Sequence, residues 1–299
     1  MKAEPRPLQT PLPGGRPGAT VTVEPMVTGS FSSPDSLHSS PSGTVGTFKI
    51  LREARKDSHP SPVPCFLIRH PSVGPILVDT GLHPSISSDP SKNLGRMGTN
   101  FYKPELGPGE DASSQLRDKG VDPASVRLVI LTHLHIDHAS AIADFPDSTL
   151  IVTAKEWEAA TSGAMPFREG YRREQFDYAF DYRTVSFDTD DVNSYASFGR
   201  TIDLFGDGSI RLASTSGHTS GHQSVIVRLK DRDMVIGGDA VYLSSQLEPG
   251  SDLPGRIVDE HNFRRSLQEL RLFHSQYPES VITPGHDKSF YDSAPTVWE

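Results

Sequence analysis

Apolar residues along this chain fall into short runs separated by Gly, Pro, Asp and Ser, the pattern of strands and tight turns. TVTVEPMV (20–27) alternates like a first strand. VPCFLIRH (63–70) and GPILVDTG (74–81) read as two strands joined by a turn at Pro71 and Gly74. SVRLVILTH (125–133), STLIVT (148–153), TIDLF (201–205), SIRLAST (209–215), QSVIVRL (223–229), DMVIGGD (233–239) and SVITPGHD (280–287) continue the series. Helical signals are fewer. SSQLRDKG (113–120) closes on Gly120. AKEWEAAT (154–161) reads as a second helix. FRRSLQELRLFHSQY (263–277) places Phe263, Leu267, Leu270 and Phe273 on one helical face. Strands dominate, with helices between some of them, which predicts an α/β sandwich of two sheets with helices outside. No fixed-period repeat and no internal linker divides the chain. The Pro/Gly-rich residues 1–18 read as a flexible tail and 19–299 as one domain. The tract 30–46 reads as a loop, 84–110 as a loop with a short helix, and 163–200 as aromatic-rich and weakly periodic.

Charge and composition narrow the function classes. The formal net charge is -9 with no basic block, which argues against a nucleic-acid partner. The single cysteine, Cys65, excludes an internal disulfide framework and reads as a buried strand residue. Residues 1–15 carry no apolar run of a secretory signal, and no window has the apolar length of a membrane span. A cytoplasmic protein without membrane contact is the expectation.

The chemistry concentrates in LTHLHIDHAS (131–140). On an extended segment His133 and His135 point the same way, Asp137 continues the alternation, and His138 faces elsewhere. That layout offers two imidazoles to one metal and an Asp–His pair to a second, a donor set suited to zinc. Three further metal-capable side chains follow strands in Gly-flanked bends: His218 in SGHTSGHQS, Asp239 in GGDAVY and His286 in PGHD.

With these motifs the chain resembles the metallo-β-lactamase fold superfamily from about residue 20 to 290, with ILVDTG matching an early strand and turn. The resemblance implies a four-layer αββα sandwich with a binuclear site at one edge. It implies that His133, His135 and His218 hold metal one, that Asp137, His138 and His286 hold metal two, and that Asp239 bridges them. Asp79 and His222 match positions that support such a site from behind. No cysteine stands near Asp239, which disfavours β-lactam hydrolysis. GHTSGHQS and GDAVY look most like the N-acyl homoserine lactonase branch, in which a Tyr lies three residues after the bridging Asp; here that residue is Tyr242.

The implied activity is metal-dependent hydrolysis of lactones or related esters, as in quorum quenching, with a metal-held hydroxide as nucleophile. Tyr242 would hold the carbonyl oxygen as it gains charge, and Asp137 would relay a proton to the leaving alkoxide. Two divalent ions are expected, zinc first, with Mn, Fe or Co fitting the same ligands. Two dications, two carboxylates and a hydroxide leave a net single positive charge, which would stabilise an oxyanion without a fixed Lys or Arg. A glyoxalase II-like thioesterase is the alternative, with Arg264, Arg265 and Arg271 as its candidate basic group, and a non-catalytic metal-binding scaffold is a third. The expected assembly is a monomer or homodimer. The rings of 163–200, from Phe167, Tyr171 and Phe176 to Tyr195 and Phe198, suggest an apolar lid over the metals.

Overall fold

The computed structural model describes residues 1–39, 59–162 and 169–299. Seven strands form the first sheet: β1 (Arg6–Pro7), β2 (Thr22–Ser33), β3 (His59–His70), β4 (Gly74–Val78), β5 (Leu128–Ile130), β6 (Thr149–Thr153) and β7 (Asp181–Val185). Their spatial order is β1-β7-β6-β5-β4-β3-β2. The second sheet holds β8 (Asn193–Tyr195), β9 (Phe198–Asp203), β10 (Ile210–Ser214), β11 (Gln223–Arg228), β12 (Asp233–Ile236) and β13 (Val281–Thr283), in the order β13-β12-β11-β10-β9-β8.

Strand alternation explains why these segments are apolar throughout rather than every second residue. Phe66, Ile68, Ile76, Val78 and Ile130 face inward and meet Leu212, Val225, Val227, Met234 and Ile236 of the second sheet in one buried core. Their odd neighbours Leu67, Leu77 and Val129 face outward, onto Leu116 and onto Trp157 and Ala160 of the helix Ala154–Ser162. On the other side Ala213, Ile226 and Val235 meet Phe263, Leu267, Leu270 and Phe273 of the helix Glu260–Gln276. Both faces of both sheets are therefore covered, giving helix, sheet, sheet and helix layers. Cys65 is fully buried in the outer core of the first sheet.

Two expectations fail. Residues 1–18 are not a loose tail: Arg6–Pro7 pairs in parallel with Arg183–Thr184, and the Leu12 amide donates to the Leu204 carbonyl at 2.8 Å. Leu8 and Leu12 pack against the core between the sheets. A proline-containing strand suits this place, because the missing N–H matters least at an outer edge. Nor do most of the described residues of 163–200 form a lid. Its second half supplies β7, β8 and the start of β9, and carries the chain from one sheet to the other. Phe176 and Tyr182 stack around Trp157 with ring centroids 5.6 and 4.9 Å away, and Phe198 packs on Phe273 at 5.5 Å. Those rings fill the core. Residues 163–168, with Phe167, lie outside the described residues, as do 40–58, which hold the end of the loop read at 30–46.

The opposite edge of the first sheet is also covered. The outward amide and carbonyl of Val23 on β2 pair with Trp298 at 2.9 and 2.8 Å. A last short helix, Lys288–Ser293, follows β13 and had no clear signal in the sequence pattern.

Candidate metal centre

The strand directions bring the site together. β4 and β5 are parallel; β10 and β12 run alike because each is antiparallel to β11, and β13 is parallel to β12. The turns leaving β4, β5, β10, β12 and β13 therefore gather at one edge of the sandwich. They carry Asp79, the 133–138 cluster, His218, Asp239 and His286. After His135 the chain bends back, with the His138 and Ala139 amides both donating to the His135 carbonyl.

All seven expected ligands converge, none more than 8% exposed. Donor atoms of His133, His135, His218 and Asp239 lie within 4.8 Å of one another, and so do those of Asp137, His138 and His286. Asp239 sits between the two groups. Its Oδ2 is 3.2 Å from His218 Nε2 and 3.9 Å from His133 Nε2. Its Oδ1 is 3.3 Å from both His138 Nε2 and His286 Nε2. Asp137 Oδ2 lies 3.6 Å from the same two histidine nitrogens.

Burial holds His133 and His135 well below the ordinary histidine value and pulls His218 down to about 4, which favours the neutral, ligating form. At His138 burial acts the same way, but the carboxylates of Asp137, Asp239 and Asp79 outweigh it and raise its pKa. Asp239 is held well below the ordinary carboxylate value: burial opposes this, and His286, His138 and His218 prevail. His133 Nε2, His135 Nε2, His138 Nε2 and Asp239 Oδ1 are buried without a hydrogen-bond partner among the described residues. Buried orphans of this kind are costly unless something else engages them. Imidazoles, two carboxylates and the orphaned His133 Nε2, His138 Nε2 and Asp239 Oδ1 fit divalent metal ions with nitrogen and oxygen preference, and His135 turns its Nδ1, 2.8 Å from His218 Nε2, to the same cluster.

A second layer fixes the rings. Asp79, at φ 59°, accepts from the Thr132 amide at 2.7 Å and stands 2.8 Å from His138 Nδ1, so His138 presents Nε2 to the cluster. The Pro62 carbonyl lies 3.0 Å from His286 Nδ1 and acts alike. His222 Nε2 accepts from the Asp239 amide at 3.0 Å, so its proton is on Nδ1 and faces Thr215 Oγ1 at 2.9 Å. His222 thus orients the backbone of Asp239. Tyr242 Oη is 3.1 Å from His218 Nδ1 and lines the pocket above the cluster. Burial raises its pKa well above 10, so the phenol keeps its proton.

Two residues here were not anticipated. Glu156 is fully buried and accepts from the Leu134 amide (2.9 Å), the Thr219 hydroxyl (2.6 Å), the Gly221 amide (3.2 Å) and the Tyr171 hydroxyl. It ties the turn carrying His133 and His135 to the turn carrying His218 and His222. In sequence it reads as a solvent-facing charge; its only signal is adjacency to Trp157 on a helix with a buried face. Arg256 lines the pocket beside His135 and Asp137, which corrects the expectation of a site without a fixed cation. Nothing in DLPGRIVDE announces it.

The model of the Metallo-beta-lactamase superfamily matches residues 59–286. A protein of Azorhizobium caulinodans named N-acyl homoserine lactonase AttM is 33% identical over 234 residues, 78% of this chain and 84% of that protein. A protein of the same name from Agrobacterium fabrum is 34% identical over 76% of this chain and 82% of its own length. A solved N-acyl homoserine lactone hydrolase, with the product N-hexanoyl-L-homoserine at its catalytic metal centre, superposes with a TM-score of 0.72. It is 22% identical and covers 92% of this chain and 97% of its own. By fold, by ligand geometry and by sequence, the chain belongs to the metallo-beta-lactamase superfamily.

Proposed function

We propose that this protein hydrolyses N-acyl homoserine lactones or closely related lactones at a two-metal centre. His133, His135 and His218 would hold one ion, Asp137, His138 and His286 the other, and Asp239 both. The observation that carries the reading is the two-sided approach to Asp239, whose oxygens each face a different histidine group at 3.2–3.3 Å. Relatives named as lactonases support the substrate class. Zinc is the proposed occupant, and Mn, Fe or Co suit the same donors.

When bound, such ions supply Lewis acidity and lower the pKa of water from 15.7 to about 7, so hydroxide is available near neutral pH. The chain's own groups do the rest. The Tyr242 phenol, protonated throughout the working range, donates to the ring carbonyl oxygen as it gains charge. The Asp137 carboxylate takes the nucleophile's proton and returns it to the ring oxygen, which leaves as an alcohol. A ring ester and water thereby become a hydroxy acid.

The thioesterase alternative gains no support. Arg264 is paired with Glu260 at 2.6 Å, Arg265 with Glu269 at 3.6 Å, and Arg271 donates to the Gln246 carbonyl at 2.8 Å. A non-catalytic scaffold does not need seven converging ligands. Among the described residues no helix is long and apolar enough to cross a membrane. We propose a cytoplasmic monomer or homodimer, which sedimentation and fractionation would check. The central test is elemental analysis followed by turnover on lactones, thioesters and phosphodiesters. Two metals per chain and a lactone preference are expected; one metal with no gain on adding more, or a thioester preference, overturns the reading.

A further inference from the structure

Arg256 stands on the irregular segment leading into the helix Glu260–Gln276, yet its side chain reaches the wall of the metal pocket. Its Nη1 donates to Tyr102 Oη at 2.9 Å, which holds the guanidinium plane in place. Its own carbonyl lies 3.4 Å from His218 Nδ1. On the far side it meets Gly170, at φ +97°. A Cβ there would lie 2.9 Å from Arg256 Nη2 and 3.0 Å from His135 Nε2. The backbone is thus thinned where the guanidinium and a ligand imidazole approach each other. Phe31, Leu37 and Ile136 complete the pocket wall with apolar surface.

At the pocket wall the guanidinium is a permanent cation that an oxygen-bearing ligand would meet. Its planar fork of donors suits a carbonyl or carboxylate oxygen better than an apolar tail. An N-acyl homoserine lactone has two carbonyls close together: the ring ester, and the amide on the adjacent ring carbon. The first belongs over the His/Asp cluster and Tyr242. We propose that the Arg256 guanidinium, held by Tyr102, binds the second, the amide oxygen, and so selects acylamino lactones over bare ones. The assignment rests on the lactonase reading. Phe31, Leu37 and Ile136 are then placed to meet the start of the acyl chain, with the polar anchor deciding how the ring enters.

The test compares N-hexanoyl homoserine lactone with unsubstituted γ-butyrolactone. Arg256→Met keeps much of the side chain's length and removes every donor. Losing a hydrogen bond to a charged group predicts a fall of about 10- to 100-fold in kcat/KM on the acylamino lactone, mostly in KM. On the bare lactone the change should stay within about 3-fold, with metal content equal to wild type. Arg256→Lys should fall between, and Tyr102→Phe, which frees the guanidinium, should raise KM for the acylamino lactone only. Calorimetric binding of N-hexanoyl homoserine, the ring-opened product, should weaken in parallel. Equal losses on both lactones would show that Arg256 acts through His218 or the fold, and unchanged kinetics on both would remove it from recognition. A wild type active on bare lactones and inert on acylamino lactones overturns the subsite alone; one inert on every lactone overturns the lactonase reading with it.

Discussion

Replacing Glu156 with alanine removes an acceptor shared by the turn after β5 and the turn after β10. Four donors lose it: the Leu134 and Gly221 amides and the Thr219 and Tyr171 hydroxyls. The hydroxyls can rotate toward other acceptors, but the two amides are fixed by the backbone. A buried donor left unpaired costs about 1–3 kcal/mol, so the amides and partial losses at the hydroxyls amount to roughly 3–5 kcal/mol. In a chain of this size each kcal/mol lowers Tm by about 2 °C or somewhat more, so Glu156→Ala should melt about 6–15 °C lower. The lost bonds flank His133, His135, His218 and His222, so zinc affinity should fall about 10- to 100-fold, as when other groups supporting metal ligands are removed. Glu156→Gln keeps one acceptor oxygen and should lose less on both scales. Calorimetry of the metal-free protein and zinc competition with a chromophoric chelator measure the two effects separately. An alanine variant within about 2 °C and 3-fold of wild type would refute the idea that this carboxylate joins the ligand turns.

Three further outcomes are expected. Chelation should lower Tm by several degrees, because ions that bind only the folded chain contribute about 2.7 kcal/mol per site at 100 times Kd; added zinc, manganese or cobalt should restore it, and an unchanged melt would speak against a metal centre. Tyr242→Phe should cut lactone turnover by roughly 10-fold or more, bounded by the ~10³ that single oxyanion donors cost elsewhere, without loss of metal by elemental analysis; full activity would leave the phenol as packing. His70 is buried and faces Ser209 Oγ at 3.0 Å, and burial depresses its pKa below 6.5. Its contribution is therefore fully present above pH 6.5 and is lost as pH falls through and below that value, so His70→Gln should flatten that acidic limb of a Tm-against-pH curve.

The candidate ligands were legible because residues 133–138 form one dense motif and His218, Asp239 and His286 each follow a strand in a short, Gly-flanked turn, and strands of one direction deliver their turns to one edge. Asp79 and His222 were legible only through the family resemblance. Arg256 was not, because it comes from a segment with no periodicity, where only the folded path decides what a side chain faces. Glu156 was hidden by a general regularity: charged helix residues usually face water. The aromatic stretch 163–200 misled for a different reason. Ring density says that surface must be buried, but not against what; Tyr182 and Phe176 found Trp157, and among the described residues Tyr171 alone reached a candidate ligand, with its ring 5.1 Å from His135. The Pro-rich start misled because composition measures a segment's own tendency to order, and β7 supplied the partner.

The way the seven-stranded sheet is bounded bears on behaviour in concentrated solution. An uncovered border offers a row of amides and carbonyls to any neighbouring chain, and such borders seed aggregation. Here residues 6–7 lie against β7 on one side, and Trp298 takes up the outward groups of Val23 on the other. Neither strip contributes a residue to the candidate metal centre, so trimming them should leave its turns intact while promoting self-association as concentration rises. A purification tag joined next to either strip would compete for the same border. Poor yield from such a fusion would then be a colloidal fault, curable by a longer spacer rather than by any change to the active site.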